Sequence, residues 1–121
     1  MLVDSHCHLN FPEFQHDLDQ VIEAAIQQDV TGFLTVNTRL DQTEHLQKIS
    51  ETYEKVFFSV GVHPHDASEF VSKDLENRLK HLLKHEKAVG LGETGLDYYY
   101  NNSPKQDQLD SFHHHLQVSV D

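Results

Sequence analysis

The chain has 121 residues, enough for one domain, and 20 acidic against 9 basic residues give it a formal net charge of −11. That balance argues against a basic face holding nucleic acid through many phosphate contacts, and the single cysteine, Cys7, excludes an internal disulfide and every multi-cysteine zinc module. With no apolar run near the roughly 20 residues that cross a bilayer and no basic-then-apolar leader, a soluble cytoplasmic protein without a membrane partner is expected.

In chain order, apolar runs alternate with helical patterns. "MLVDSHCHL" at the start reads as a strand, and "DLDQVIEAAIQQD" as a helix with Leu18, Val21, Ile22, Ala25 and Ile26 on one face. Gly32 then breaks to "FLTVNT", a short strand rich in β-branched residues. "DQTEHLQKISETY" is a second helix, with Asp41 as its N-cap and Glu44 three residues on, the spacing of a capping box. "VFFSVGVH" is a third strand, "PHDASEF" a loop and "KDLENRLKHLLKH" a third helix carrying Leu75, Leu79, Leu82 and Leu83. "AVGLGETGL" reads as a fourth strand and "YYYNNSP" as a loop. The last helix, "KQDQLDSFHHHLQVSV", is expected to bury Leu109, Phe112 and Leu116. Four β-α units in succession imply right-handed crossovers and a parallel sheet with covered faces, an α/β fold.

Metal-capable side chains fall at three strand ends. His6 and His8 are two residues apart, so an extended strand aims both at one cation while Cys7 points away. Asp4, at the same alternation, is placed to join them or to orient a ligand. The competing reading is a strand end with polar tips in solvent. "GVHPH" brings His63 to the lip of the third strand, where Pro64 stops the ladder; a loop histidine held by proline geometry is the simpler alternative. Glu93 is the one charged side chain in the Gly-rich run "GLGETGL", and a carboxylate there is costly unless paired or bound to a cation. Asp97 follows at the strand exit. Nitrogen and carboxylate donors together suit zinc, manganese or magnesium in a site that keeps positions open.

The remaining histidines carry less. His81 and His85 share a helical face without the glutamate of a zincin helix and read as solvated. His113, His114 and His115 lie within a helix rather than at a strand end, and His16 and His45 give no signal. Tyr98, Tyr99 and Tyr100 could stack on a base or pack against the rim of their own fold.

"DSHCHL", "GVHPH" and "GETGLDYY", in this order and spacing, resemble the TatD family of metal-dependent hydrolases, and "SPKQDQLDSFHHHL" fits the segment that follows in that family. The resemblance implies a (β/α)8 TIM-type barrel of the amidohydrolase kind. It also implies hydrolysis of phosphodiesters, as a deoxyribonuclease acting on the ends of DNA with two divalent ions (Mg, Mn or Zn). By that likeness His6 and His8 are ligands of one metal, Glu93 is the carboxylate of the shared site, and His63 lies beside the scissile phosphate.

A complete barrel of this kind takes about 250 residues. The 121 residues here correspond to its first four βα units, a single N-terminal half-barrel over 1–121. The family's later histidines and its aspartate have no counterpart in them. The expectation is an incomplete sheet that binds metal weakly, has little or no turnover alone, and self-associates through its exposed edges. Two alternatives stand beside the nuclease. One is an amide or phosphomonoester hydrolase of a related barrel, and the other is a non-catalytic metal-binding or interaction remnant.

Overall fold

The computed structural model describes residues 1–120. Four strands, β1 (Leu2–Cys7), β2 (Val30–Thr35), β3 (Val56–Val60) and β4 (Ala88–Leu91), form one sheet in sequential order. Every neighbouring pair is parallel, so each connection crosses over one face and the strands' C-terminal ends gather at one edge. Helices α1 (Leu18–Gln27), α2 (Thr43–Thr52), α3 (Ala67–Phe70), α4 (Leu75–Leu82) and α5 (Lys105–Val120) supply those connections and the final layer. The expected α/β half-barrel with alternating strands and helices is the observed architecture.

The core lies between sheet and helices in two patches. Phe58, Val60 and Val62 pack with Leu40, Leu46, Leu75 and Leu79, while Phe33 and Val56 pack with Leu9, Ile22 and Ile49. Full burial of a side chain such as Phe58 or Leu46 stabilises the fold by about 1.5–3 kcal/mol. The opposite face of the sheet is bare, and Val3 (63 % exposed) and Val89 (57 %) stand on it beside Phe57. No helix among the described residues is long and apolar enough to cross a membrane.

Several local expectations are corrected. Asp41 does not cap α2. A 3₁₀ turn over Leu40–Gln42 precedes the helix, whose N-cap is Gln42 with no side-chain cap bond. The Asp41 carboxylate instead pairs with Arg39 at 3.0 Å, and Arg39 also binds Asp66 and Glu69. Residues 64–70 are not a plain loop but a 3₁₀ turn, Pro64–Asp66, running into α3. The third predicted helix is shorter than 73–85, because α4 ends at Leu82. The fourth strand stops at Leu91, so Glu93 lies just beyond it rather than within it.

The largest correction concerns α5. Leu109 and Leu116 are exposed, and the helix buries Gln108, Ser111, His115 and Val118. Those positions repeat at helical spacing, but with mostly polar side chains. Two of them are compensated by hydrogen bonds, which is why burying them is tolerable. Gln108 accepts from the Asp97 amide (2.8 Å) and donates to the Ser103 and Asp97 carbonyls. His115 accepts from the Val62 amide at 3.0 Å and donates to the Ser111 carbonyl at 2.7 Å.

Candidate metal centre

The first strand does not run evenly to its histidines. Asp4 pairs with Phe33 and Cys7 with Thr35, so β1 spends three residues where β2 spends two. The extra residue is a bulge, which bends the strand and re-aims side chains. It breaks the alternation that would have aligned Asp4 with His6. The Asp4 carboxylate turns to the chain and accepts the His6 backbone amide at 3.1 Å. Cys7 points toward the helices, donating to the Leu34 carbonyl (3.4 Å). Burial, then the charge of Asp4, pushes its thiol up to about 12, so it is an inert core group rather than a thiolate ligand.

His6, His8 and Glu93 converge, with one donor atom from each lying within 4.8 Å of the others. The Glu93 carboxylate divides its two oxygens. Oε2 lies 3.5 Å from His6 Nε2 and 3.9 Å from His8 Nε2, and Oε1 lies 3.6 Å from His63 Nε2. The four side chains are 22–56 % exposed, open to solvent and to a bound ion. His6 and Glu93 border a cleft of about 320 Å³ at the C-terminal edge of the sheet, together with Ser59 and Thr94. The Thr94 hydroxyl is buried without a hydrogen-bond partner among the described residues.

Hydrogen bonds fix which nitrogen of each ring carries the proton. His8 Nδ1 lies 3.0 Å from the Val36 carbonyl oxygen. A carbonyl only accepts, so Nδ1 is the protonated nitrogen and Nε2 presents its lone pair to the cluster. His63 is arranged in the opposite sense. Its Nδ1 accepts the backbone amide of His65 at 3.1 Å, so in the neutral ring Nε2 carries the hydrogen. Burial lowers the His63 pKa, against an opposing pull from Glu93. His8 is thus built as a donor of electrons to a cation, and His63 as a donor of a hydrogen bond.

Glu93 is positioned by residues that the sequence did not single out. Its amide donates to the Asn37 carbonyl at 2.7 Å, and the Gly92 amide to the Val60 carbonyl at 2.8 Å. The Ser59 hydroxyl accepts from the Asn37 amide (3.0 Å) and donates to the Gly92 carbonyl (2.6 Å). Asn37 is in turn fixed by Thr43 at 2.7 Å. The signal for Ser59 was its place as the lone polar residue in "VFFSVGV". Gly61 matters sterically, since a Cβ there would sit 2.5 Å from the Gly92 carbonyl carbon.

Asp97 is not drawn into the cluster. Its Oδ2 pairs with His65 Nε2 at 2.6 Å, and this bond holds the Asp97 carboxyl below its ordinary range. The His65 ring meets that of His63 edge-on at 4.4 Å, so Asp97 reaches the centre only through two imidazoles. His81, His113 and His114 lie apart from the cluster on helices, His114 paired with Glu76. His115 is buried in the core.

The donor set fits a divalent ion. Two imidazoles and a carboxylate are ordinary zinc, manganese or magnesium ligands. Tetrahedral bonds of about 2.0–2.1 Å separate neighbouring donors by about 3.4 Å, close to the 3.5 Å between His6 and Glu93.

Four parallel βα units in sequential order, with metal-capable side chains gathered at the strands' C-terminal ends, are the pattern of half a (β/α)8 barrel with a candidate metal centre. Residues 3–121 match the family model described as TatD related DNase, and the chain belongs to that family. It is 41 % identical over 120 residues to the uncharacterized metal-dependent hydrolase YcfH of Escherichia coli K12, covering 97 % of this chain and 44 % of that protein. It is 31 % identical to the 3'-5' ssDNA/RNA exonuclease TatD of Citrobacter koseri, covering 99 % of this chain and 46 % of the relative. Among solved structures, the TatD homolog YJJV from Escherichia coli superposes with a TM-score of 0.84 at 25 % identity, over 98 % of this chain and 46 % of that one. The chain spans less than half the length of these relatives.

Proposed function

We propose that this chain carries the first donor set and the phosphate-facing histidine of a TatD-type phosphodiesterase that trims nucleic-acid ends. The observation supporting this most strongly is the division of Glu93 between the His6–His8 pair on one oxygen and His63 on the other. His6, His8 and Glu93 would hold a divalent ion, with Mg, Mn and Zn all chemically suitable. When bound, such an ion supplies Lewis acidity and acidifies a water while offsetting the charge of an anionic substrate. A complete centre would hold two.

The protein's own groups then have separate tasks. The Val36 carbonyl keeps the His8 lone pair directed at the cluster. The His65 amide keeps the hydrogen of His63 on Nε2, the nitrogen that would donate to a non-bridging phosphate oxygen. Asp97 holds His65 in place behind it. Donation from a neutral ring costs no reorganisation when charge develops on that oxygen. A phosphodiester is favoured over an amide or a phosphomonoester because two of the similar curated proteins are named 3'-5' ssDNA/RNA exonucleases.

Two imidazoles and one carboxylate leave a position open for water, and donors that are 22–56 % exposed are expected to hold the ion weakly, with slow or no turnover by this chain alone. Its bare sheet face, with Val3, Phe57 and Val89, would favour association with a second copy, and sedimentation would detect it as a dimer or larger. The test of function is complementation. Mixing the chain with a polypeptide carrying the later strands of a TatD relative, with Mn²⁺ and end-labelled single-stranded DNA, should restore end-trimming. Glu93→Ala and His63→Ala should abolish it. A folded complex that trims no DNA would favour a non-catalytic remnant.

A further inference from the structure

Tyr98, Tyr99 and Tyr100 follow the candidate centre directly, and no task described above uses them. They are 42 %, 86 % and 66 % exposed, so their rings are open to a ligand. Their backbone is firmly held. Asp97 Oδ1 accepts the amides of Tyr99 (3.0 Å) and Tyr100 (3.2 Å). Asn101, in the left-handed region at φ 51°, closes the turn by donating to the Tyr98 carbonyl at 2.8 Å. Gln108, buried under the loop, fixes the Asp97 amide. The rings are thus exposed on a rigid support, not carried by a loose segment.

They are also joined to the centre through ring contacts. Tyr100 meets His65 edge-on at 5.6 Å, His65 meets His63 at 4.4 Å, and His63 faces Glu93 at 3.6 Å. Tyr99 stands perpendicular to Tyr100 at 4.8 Å, and the Lys105 ammonium lies 5.0 Å over the Tyr98 ring. Aromatic faces beside a lysine are the elements of single-strand nucleic-acid binding, where bases stack and a cation tracks phosphate. In a chain of net charge −11, stacking provides affinity that phosphate contacts cannot.

We propose that Tyr99 and Tyr100 form a nucleobase-stacking platform that seats an unpaired base of a single-stranded nucleic acid beside the His6–His8–Glu93 centre. This rests on the phosphodiesterase reading and adds to it a means of holding the substrate. The platform recognises the base and is indifferent to which base it is, because every base offers a π-face.

The test measures binding of a phosphorothioate-linked octathymidylate to the full chain in Mg²⁺ by fluorescence anisotropy. An abasic octamer with the same number of phosphates serves as control, and Mn²⁺ titration of each variant runs alongside. Expected is tighter binding of the thymidylate than of the abasic strand. Tyr99→Ala and Tyr100→Ala should each weaken thymidylate binding by roughly 5- to 150-fold and leave the abasic strand unaffected. Tyr99→Phe and Tyr100→Phe should bind as the unmodified chain does, since the ring face is retained. Equal binding of the two strands, no binding of either, or unchanged affinity in the alanine variants would overturn the platform. Should Mn²⁺ binding persist while base-dependent binding fails, the platform alone is lost. Base-dependent binding without any Mn²⁺ site would overturn the phosphodiesterase reading instead.

Discussion

The Nε2 atom of His115, on the last helix, accepts the backbone amide of Val62 at 3.0 Å, one residue before His63. A buried side chain of α5 thereby secures the strand exit that presents His63. The same ring donates from Nδ1 to the Ser111 carbonyl, so both nitrogens are used and the ring is neutral.

Replacing His115 tests that relationship. His115→Phe roughly keeps the volume but leaves the Val62 amide unpaired, at a cost of about 1–3 kcal/mol. His115→Ala adds a cavity and should cost about 1 kcal/mol more. Urea denaturation should show both midpoints lowered in that order, and an unchanged midpoint in His115→Phe would contradict the bond.

The same burial sets a pH dependence. Desolvation lowers the His115 pKa from its ordinary value of 6.5, so the unfolded chain takes up the proton before the folded one does. Between the lowered pKa and 6.5 the unfolded state binds more protons, and stability rises with pH there. The contribution of His115 is complete above about pH 6.5 and is lost as pH falls through the folded-state value. Urea midpoints measured between pH 7.5 and 5 should fall for the natural chain, and by less for His115→Phe.

Gly61, just past β3, packs against the backbone of Gly92, just past β4. A methyl group there would sit 2.5 Å from the Gly92 carbonyl carbon, a backbone atom with no rotamer to escape into. Gly61→Ala should cost about 1–3 kcal/mol by overpacking and displace Glu93 from the histidine pair. Weaker metal binding together with a lowered urea midpoint is the expected result; native metal affinity in Gly61→Ala would contradict it.

The α/β alternation was legible in the sequence because strands of parallel sheets read as short, near-continuous apolar runs between amphipathic helices, as "VFFSV" does for β3. The histidine pair was legible because a spacing of two keeps His6 and His8 together, although the bulge and the end of β1 at Cys7 mean that regular strand alternation is not what does so. The bulge at Asp4–Cys7 was not, since an extra residue in one strand shows only against its partner. The face of α5 was misread for a related reason. Periodicity ranks Leu109 and Leu116 above Gln108 and His115, and it cannot see the amides and carbonyls that satisfy those polar groups. Asn37 and Ser59, which seat Glu93, act through the backbone at positions distant in sequence; the lone polar place of Ser59 in its apolar run marks the residue but not its partners.

The most direct test of the centre is calorimetric titration of the chain with Mn²⁺ or Zn²⁺. His8→Ala and Glu93→Gln would each remove a donor, and His113→Ala/His114→Ala would serve as the control for chance affinity on α5. Expected is one weak site in the natural chain, reduced at least tenfold in His8→Ala and in Glu93→Gln and unaltered in the helix variant. Equal affinity in the natural chain and Glu93→Gln, or loss of the site with His113 and His114, would contradict a metal centre at the strand ends.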